Sequence, residues 1–405
     1  MAETTAVAPR HARPALARRI GTVVASTVAA VAGYALVYST AVAGEVTATL
    51  QENAQNVDSL VGEESARPEK PKPSDPNAGE PLNILLMGSD VRDGDNGTVG
   101  GGADIGGMRN DTTMLAHISG DRSRIEVISI PRDAQVEIPE CTYLDGSTIA
   151  GGYGDFNIAF SNGGANGKAA EAAACTIRTV EQMSDVRIDH YAVVDFTGFI
   201  DMVDALGGVP MCITERIVSD KAHLELEAGP QVLDGETALA YARLRTAEEG
   251  DVSGSDLQRI TRQQQLLEQV AETVLSKNIL TNVGQLTRFL RAMAESLTMD
   301  EELADTSYLI GLGYSLRGLR TDDITFATVP WEYTEDFLNV ELLPEAEDMW
   351  DDIRDDQPIS VNESDDASSA WDDGKKDTSS AKPSSSATSS ESADTTVDDL
   401  LQECR

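Results

Sequence analysis

The sequence predicts one α/β domain, from about Pro81 to about Pro344, preceded by a single transmembrane helix. Three observations predict it. Short apolar runs ending in glycine or proline, such as LNILLMG and RIEVISIP, alternate with longer segments of helical period, the pattern of a sheet covered by helices. A stretch without any charged residue, Ile20 to Gly44, follows a basic N-terminus. From Glu345 to Arg405 the chain is dominated by Asp, Ser, Glu and Thr, too poor in apolar side chains to bury a core.

Each element follows in order. Residues 1–19 carry Arg10, Arg13, Arg18 and Arg19 against one acidic residue, Glu3. At about 1.5 Å of rise per residue, residues 20–44 are long enough to cross roughly 30 Å of hydrocarbon. The basic flank places the N-terminus in the cytoplasm and the remainder of the chain outside it. Ala41-Val42-Ala43 would suit a signal peptidase, but the apolar run exceeds a usual signal segment, which favours an uncleaved anchor. Residues 45–80 read as a stalk and a linker rich in proline and charge. LNILLMG, TTMLAHIS and RIEVISIP then read as strands, the last two separated by the turn-like Gly120-Asp121. Ala169 to Met183 reads as a helix, HYAVVDF as a strand, and Phe199 to Leu206 as a helix stopped by Gly207-Gly208. Glu236 to Arg245 and Leu257 to Val274 follow as helices, the second with Ile260, Leu267, Val270 and Val274 on one face. A helix at Leu309 to Leu316 and the strand ITFATVP complete the domain, and residues 345–405 read as a disordered tail.

Lysine and arginine total 31 against 69 aspartates and glutamates, a formal net charge of -38. Phosphate backbones repel such a chain, so a role on nucleic acid is disfavoured. The four cysteines (Cys141, Cys175, Cys212 and Cys404) form no CxxC pair and the histidines are scattered, so nothing supports a zinc site. Outside the cytoplasm one or two structural disulfides are expected. Cys141 and Cys175 are the preferred pair, because both fall in one loop-rich segment of one domain.

In so acidic a chain the arginines need a reason. Asp90 follows the first strand. Arg109 and Asp111 lie in GGMRNDTTM, and Arg132 and Asp133 follow the third strand in SIPRD. ALAYARLR puts Arg243 and Arg245 in one turn, and DLQRITRQQQ adds Asp256, Arg259, Arg262 and Gln263. Strand C-terminal ends converge on the usual crevice of an α/β sheet. Two aspartates there could bind Mg²⁺, which takes one or two carboxylates and completes its shell with phosphate and water. Arginines would grip the same phosphates through planar forks. Taken singly, any one Asp–Arg pair reads as a surface salt bridge and Gln263-Gln264-Gln265 as a solvated helix stretch. His117, His190 and His223 read as structural.

Together the segments are more specific. NILLMGSD, RNDTTM, SIPRD, FNIAFSNGG, IDHYAVVDFTGF, DALGGVPMCI, ALAYARLR and DLQRITRQQQ occur in the order of the LytR–CpsA–Psr family, which the chain resembles strongly from Pro81 to Val270. The cysteine pair and the helical segment after Val270 look most like actinobacterial members. The resemblance implies a central mixed β-sheet flanked by helices. It also implies an extracytoplasmic phosphotransferase that moves a glycopolymer, of arabinogalactan type in actinobacteria, from a polyprenyl-pyrophosphate carrier onto peptidoglycan. By motif, Asp90 and Asp111 would hold Mg²⁺. Arg109, Arg132, Arg243, Arg245, Arg259 and Gln263 would bind the pyrophosphate. Asp256 would orient the arginines or help deprotonate the acceptor, and the lipid tail would lie in an apolar tunnel beneath the sheet. The sequence departs from the family pattern at Asn110, where serine is usual, and in the acidic tract of Glu248, Glu249 and Asp251. A hydrolase of lipid-linked pyrophosphate would need the same site with water as acceptor, and a non-catalytic wall- or lipid-binding protein would not need the full set.

Overall fold

Six strands make the central sheet of the computed structural model, which describes residues 44–62, 64–70, 79–90, 108–250, 252, 256–275 and 283–360. They are β1 (Leu82–Ser89), β2 (Asn110–Ile118), β3 (Ile125–Ile130), β4 (His190–Asp195), β5 (Leu297–Met299) and β6 (Ile324–Thr328). Their order is β5-β4-β1-β2-β3-β6. β1 pairs parallel with β4 and antiparallel with β2; β3 pairs antiparallel with β2 and parallel with β6; β5 is antiparallel to β4. The sheet is therefore mixed, as expected. One consequence matters most. The C-terminal ends of β1, β3, β4 and β6 and the N-terminal end of β2 all reach the same edge.

The helices described after β1 are α1 (Asn157–Gly163), α2 (Ala169–Ser184), α3 (Phe196–Leu206), α4 (Gly235–Arg243), α5 (Asp256–Leu275), α6 (Val283–Ser296), α7 (Thr306–Ser315) and α8 (Glu345–Arg354). One face of the sheet, with Leu85, Leu115 and Ile128 fully buried, belongs to the main core together with α2 and α8. α2 packs tightly because it is alanine-rich, and Gly163 lets α1 approach it: a Cβ there would stand 2.4 Å from the Glu171 carbonyl oxygen. The Cys141–Cys175 disulfide, with a Cα–Cα distance of 5.2 Å, ties the loop after β3 to α2. A second cluster, including Val203, Met211, Leu233, Tyr241 and Leu266, joins α3, α4, α5 and the ribbon Val209–Ile213/Gly229–Leu233.

The chain divides into two compact units, Met1–Ala48 and Thr49–Arg405. Of the first, only residues 44–48 are described, and they are helical. Among the described residues no helix is long and apolar enough to cross a membrane. The expected cytoplasmic tail (1–19) and nearly all of the expected span (20–44) lie outside them.

The domain is wider at both ends than residues 81–344. Much of the expected stalk and linker, residues 45–80, is integral to it. Val57, Leu60 and Val61 are core residues, Gln55 N–H donates to the Met299 carbonyl at 2.9 Å, and Arg67 pairs with Glu181 at 2.6 Å. At the other end, residues 345–360 are not a disordered tail. Ala346, Met349, Trp350 and Ile353 repeat at helical spacing and bury one face of α8 in the core. The acidic residues around them occupy the opposite face, which is how a helix so polar on average still packs. The expected tail beyond residue 360 falls outside the described residues.

Candidate functional site

The register of the sheet shapes the site first. β1 and β2 run in step from Leu82↔Ile118 to Gly88↔Thr112, and the next pair is Ser89↔Asn110. Asp111 is thus the extra residue of a β-bulge, a device that re-aims a side chain at a strand end. Asn110 holds the bulge: its Oδ1 accepts from Thr112 N–H at 2.7 Å and its Nδ2 donates to Thr113 Oγ1 at 2.6 Å. Asparagine therefore supplies the local hydrogen bonding where serine was the expected residue. Beside it, Asp90 N–H donates to the Arg109 carbonyl at 2.9 Å, and Asp90 Oδ1 accepts from Arg109 N–H at 3.0 Å.

Around Asp111 the arginines gather. Arg132 Nη1 donates to Asp111 Oδ1 at 2.6 Å, Arg245 Nη2 reaches the same oxygen at 3.4 Å, and Arg259 Nη2 meets the Asp111 carbonyl at 3.4 Å. Burial alone would raise the Asp111 carboxyl, but the charges of Arg259, Arg132 and Arg245 and the Arg132 hydrogen bond outweigh it and hold the group below the usual carboxylate range. Arg132 also pairs with Asp133, at 3.2 Å. The Arg243 guanidinium lies 4.2 Å from the centre of the Phe196 ring, a cation–π contact.

The helix carrying Arg243 ends there, at Leu244, rather than continuing to Arg245. This corrects the expectation that both arginines share one helical turn. Residues two apart on a helix point away from each other, and ending α4 frees Arg245 to turn back to Asp111. The polar stretch of α5 fixes that segment. Arg262 donates to the Leu244 carbonyl and Gln263 Nε2 to the Ala242 carbonyl at 3.2 Å. Gln264, expected to be solvated, bridges β3 and β6 through Ser129 Oγ (3.0 Å), the Ala327 carbonyl (2.9 Å) and Thr328 Oγ1 (3.2 Å). Arg259 is only 1% exposed. Polar side chains thus dock α5 against the strand ends, and nothing in the sequence marks Gln264, because a half-buried glutamine that bridges two strands looks like a surface one.

These groups line one cavity of about 1530 Å³. Asp90, Arg109, Asp111, Arg132, Arg243, Arg245, Arg259 and Gln263 all lie on its wall. Of the expected site residues, only the side chain of Asp256 lies outside the described residues. The rest of the wall mixes apolar residues with polar and charged ones, among them Asn157, Asp195, Lys221, Glu225 and Glu236. Leu86, Met114, Ala192 and Val194 form its floor on the second face of the sheet, and Phe199, Val203, Leu266 and Val270 contribute from α3 and α5. Ordinary small-molecule pockets occupy roughly 300–1,000 Å³, so this chamber suits a longer apolar ligand with a charged end.

The model of the LytR_cpsA_psr family matches residues 37–354. The chain belongs to the LytR–CpsA–Psr family. Among its relatives, the cell wall biosynthesis protein LcpA of Corynebacterium glutamicum is 29% identical over 308 residues, covering 68% of this chain and 58% of LcpA. The probable cell wall biosynthesis protein LcpB of the same organism is 36% identical over 206 residues, covering 49% of this chain and 44% of LcpB. This chain therefore spans about half the length of those two proteins. The polyisoprenyl-teichoic acid–peptidoglycan teichoic acid transferase TagT of Bacillus subtilis is 28% identical over 270 residues, covering 65% of this chain and 73% of TagT. The crystal structure of protein gbs0355 from Streptococcus agalactiae superposes with a TM-score of 0.53 at 20% identity, over 69% of this chain and 89% of that one, which shows the fold.

Proposed function

We propose that this family member is a membrane-anchored, extracytoplasmic phosphotransferase that ligates a glycopolymer from a polyprenyl-pyrophosphate carrier onto peptidoglycan. One observation carries the reading: five arginines in a chain of net charge -38 stand at the wall of a cavity whose floor on the sheet is apolar, built of Leu86, Met114, Ala192 and Val194. A pyrophosphate joined to a long hydrocarbon is the ligand with that division of character. The names of LcpA and TagT, a cell wall biosynthesis protein and a transferase onto peptidoglycan, point the same way. An arabinogalactan-type donor is carried over from the resemblance of the motifs to actinobacterial members, and the donor lipid calls for the anchor expected at residues 20–44.

In this reading the chamber takes the hydrocarbon and the arginines take the two phosphates through charge-assisted forks. The acceptor hydroxyl forms a new O–P bond to the sugar-linked phosphorus, and the bond from that phosphorus to the bridging oxygen breaks, so that polyprenyl phosphate leaves. We assign the hydroxyl proton to Asp256, at the start of α5. Arg132, Arg243 and Arg245 spread the charge that develops on the transferred phosphate. Mg²⁺ is the expected cofactor, and the donors fit it. Asp90 and Asp111 would offer it hard oxygen donors from hydrogen-bonded neighbouring segments, and Mg²⁺ needs no more than two carboxylates. When bound it would neutralise phosphate oxygens and polarise the phosphorus.

The test is product analysis. With lipid-linked polymer and Mg²⁺, polymer should become covalently attached to added peptidoglycan and polyprenyl phosphate should be released in equal amount. Release of free polymer phosphate whether or not peptidoglycan is present would identify a hydrolase instead. Binding of the lipid with no turnover would identify a non-catalytic binder.

A further inference from the structure

Next to the arginine cluster stands a feature that the proposed transfer leaves unused. After β6 the chain forms a two-stranded ribbon, Trp331–Tyr333 against Val340–Leu342. It is continuous with the site. Val340 N–H donates to the Asp133 carbonyl at 3.2 Å, and the preceding residue, Arg132, accepts at its carbonyl from Asn157 of the cavity wall at 3.0 Å. Aromatic rings step outward along the ribbon. Trp331 and Tyr333 lie 5.1 Å apart edge to face, and Phe337 at the tip lies 5.8 Å from Tyr333.

The tip is built to expose apolar surface. Phe337 is 74% and Leu338 75% exposed. Phe337 has φ of +57°, a left-handed conformation that glycine or asparagine normally takes and that is costly for an aromatic residue. The surrounding turn enforces it. Thr334 Oγ1 donates to Asp336 Oδ1 at 2.7 Å, and Asp336 Oδ1 accepts from Leu338 N–H at 3.2 Å. Phe337 N–H donates to the Thr334 carbonyl at 2.9 Å, and Thr334 N–H to the Asn339 carbonyl at 3.0 Å. A rigid turn that spends strain to hold a phenyl ring in water is presenting that ring to something.

We infer that the ribbon Trp331–Leu342 is a subsite for the glycan strand of the acceptor, with Phe337 as its stacking platform. The inference rests on the proposed transfer for the identity of the acceptor. Sugar rings have an apolar face that packs on an aromatic ring, and hydroxyls that donate to carboxylates, which Glu335 and the ionised Asp336 supply at the tip. The charge of the ribbon argues against the other apolar partner, a lipid surface. Glu332 stands directly opposite Glu341, and no lysine or arginine occurs between Trp331 and Ile353. Interfacial segments carry the opposite pattern, with basic residues facing anionic lipid. The hydrogen bond from Val340 to Asp133 joins a glycan platform here to the segment that carries Arg132.

The experiment uses the whole chain in detergent, with sacculi freed of attached polymer as the probe. Phe337→Gly removes the ring and relieves the backbone strain, so Tm should rise or hold while affinity for sacculi falls about tenfold. In turnover the KM for peptidoglycan should rise by a similar factor, with kcat and the KM for the lipid donor unchanged. Phe337→Trp should restore binding. Wild-type sedimentation of Phe337→Gly with sacculi would overturn the subsite, as would loss of flotation with phosphatidylglycerol vesicles in place of loss of sacculus binding. Arg132→Ala separates the two readings. It should lose transfer yet bind sacculi normally, so a failure of the transfer reading leaves the Phe337 result to be judged by itself.

Discussion

Arg132→Ala tests the arginine cluster most directly, because the structure separates its effects on rate and on stability. Arg132 makes a charge-assisted hydrogen bond of 2.6 Å to Asp111, with the two side chains 19% and 33% exposed. A hydrogen bond to a charged group contributes roughly 1.5–3 kcal/mol when buried. Exposure of a third of Asp111 screens this pair, and Asp111 keeps Arg245 and Arg259 beside it after the substitution. The expected loss of folding stability is therefore about 1 kcal/mol. The rate should suffer far more. Removing one preorganised group that stabilises developing anionic charge costs about 10²–10³ in kcat, some 3–4 kcal/mol. Thermal unfolding of the variant should move by only a few degrees, while transfer of labelled polymer to peptidoglycan falls at least a hundredfold. Arg132→Lys should recover part of the rate, since it keeps the charge and loses the fork. Transfer by Arg132→Ala within threefold of the wild type would refute the role given to this residue.

Two further outcomes follow from the structure. Ala192→Trp places a large ring on the floor of the chamber, where space exists for it; Tm should hold, and turnover should fall about tenfold or more for long polyprenyl donors but little for short ones. Equal losses for both chain lengths would count against the chamber as the seat of the tail. His190 lies at the far end of β4, bonded through Nδ1 to Asp300 at 3.0 Å and through Nε2 to Tyr308 at 2.8 Å. Burial lowers its pKa, but the Asp300 hydrogen bond and the negative charges of Asp300, Asp189 and Glu302 outweigh it, and the net shift is upward from 6.5. A raised folded-state pKa gives stability that is full below about pH 6.5 and is lost as pH rises through the folded value. Denaturant midpoints should show that decline in the wild type, and His190→Gln should flatten it. An unchanged slope in the variant would assign the decline to other groups.

Much of this architecture was legible because the relevant signals are local. Glycine- and proline-terminated apolar runs mark β1 and β3, and charged residues just beyond them mark the crevice edge. Those signals mark Asp90, Arg132 and the strand ends, whereas the grouping of Asp90, Arg109, Asp111, Arg132, Arg243, Arg245, Arg259 and Gln263 into one site came from the order of the family motifs, and all eight line one cavity. What escaped depends on long-range pairing. The bulge at Asp111 exists only in the register of β1 with β2. Gln264 finds its partners only because α5 docks on Ser129 and Thr328, far away in the chain. The chamber wall is drawn from several separate elements, each of which reads as ordinary core. α8 was hidden for a different reason: its periodicity was present, but its neighbours' acidity dominated the average composition.

The two faces of the sheet divide stability from binding. On one face Leu85, Leu115 and Ile128 are sealed into a core with α2 and Trp350. The Cys141–Cys175 bond joins residues 34 apart on that side, a closure that by chain entropy contributes about 3–4 kcal/mol. On the other face the alternate residues Leu86, Met114, Ala192 and Val194 meet a chamber instead of a packed layer. Apolar side chains facing such a space forgo the dispersion contacts that a core would give them. The core side must then supply most of the folding free energy, and the chamber side recovers its missing contacts only when an apolar ligand enters. A ligand that binds only the folded chain stabilises it by mass action. The acidic sequence keeps its arginines where that apolar ligand would end in phosphate. The bulged Asp111 holds them together, with Arg132, Arg245 and Arg259 all turned to a single residue, and in the proposed reading the pyrophosphate would replace it as their counter-charge.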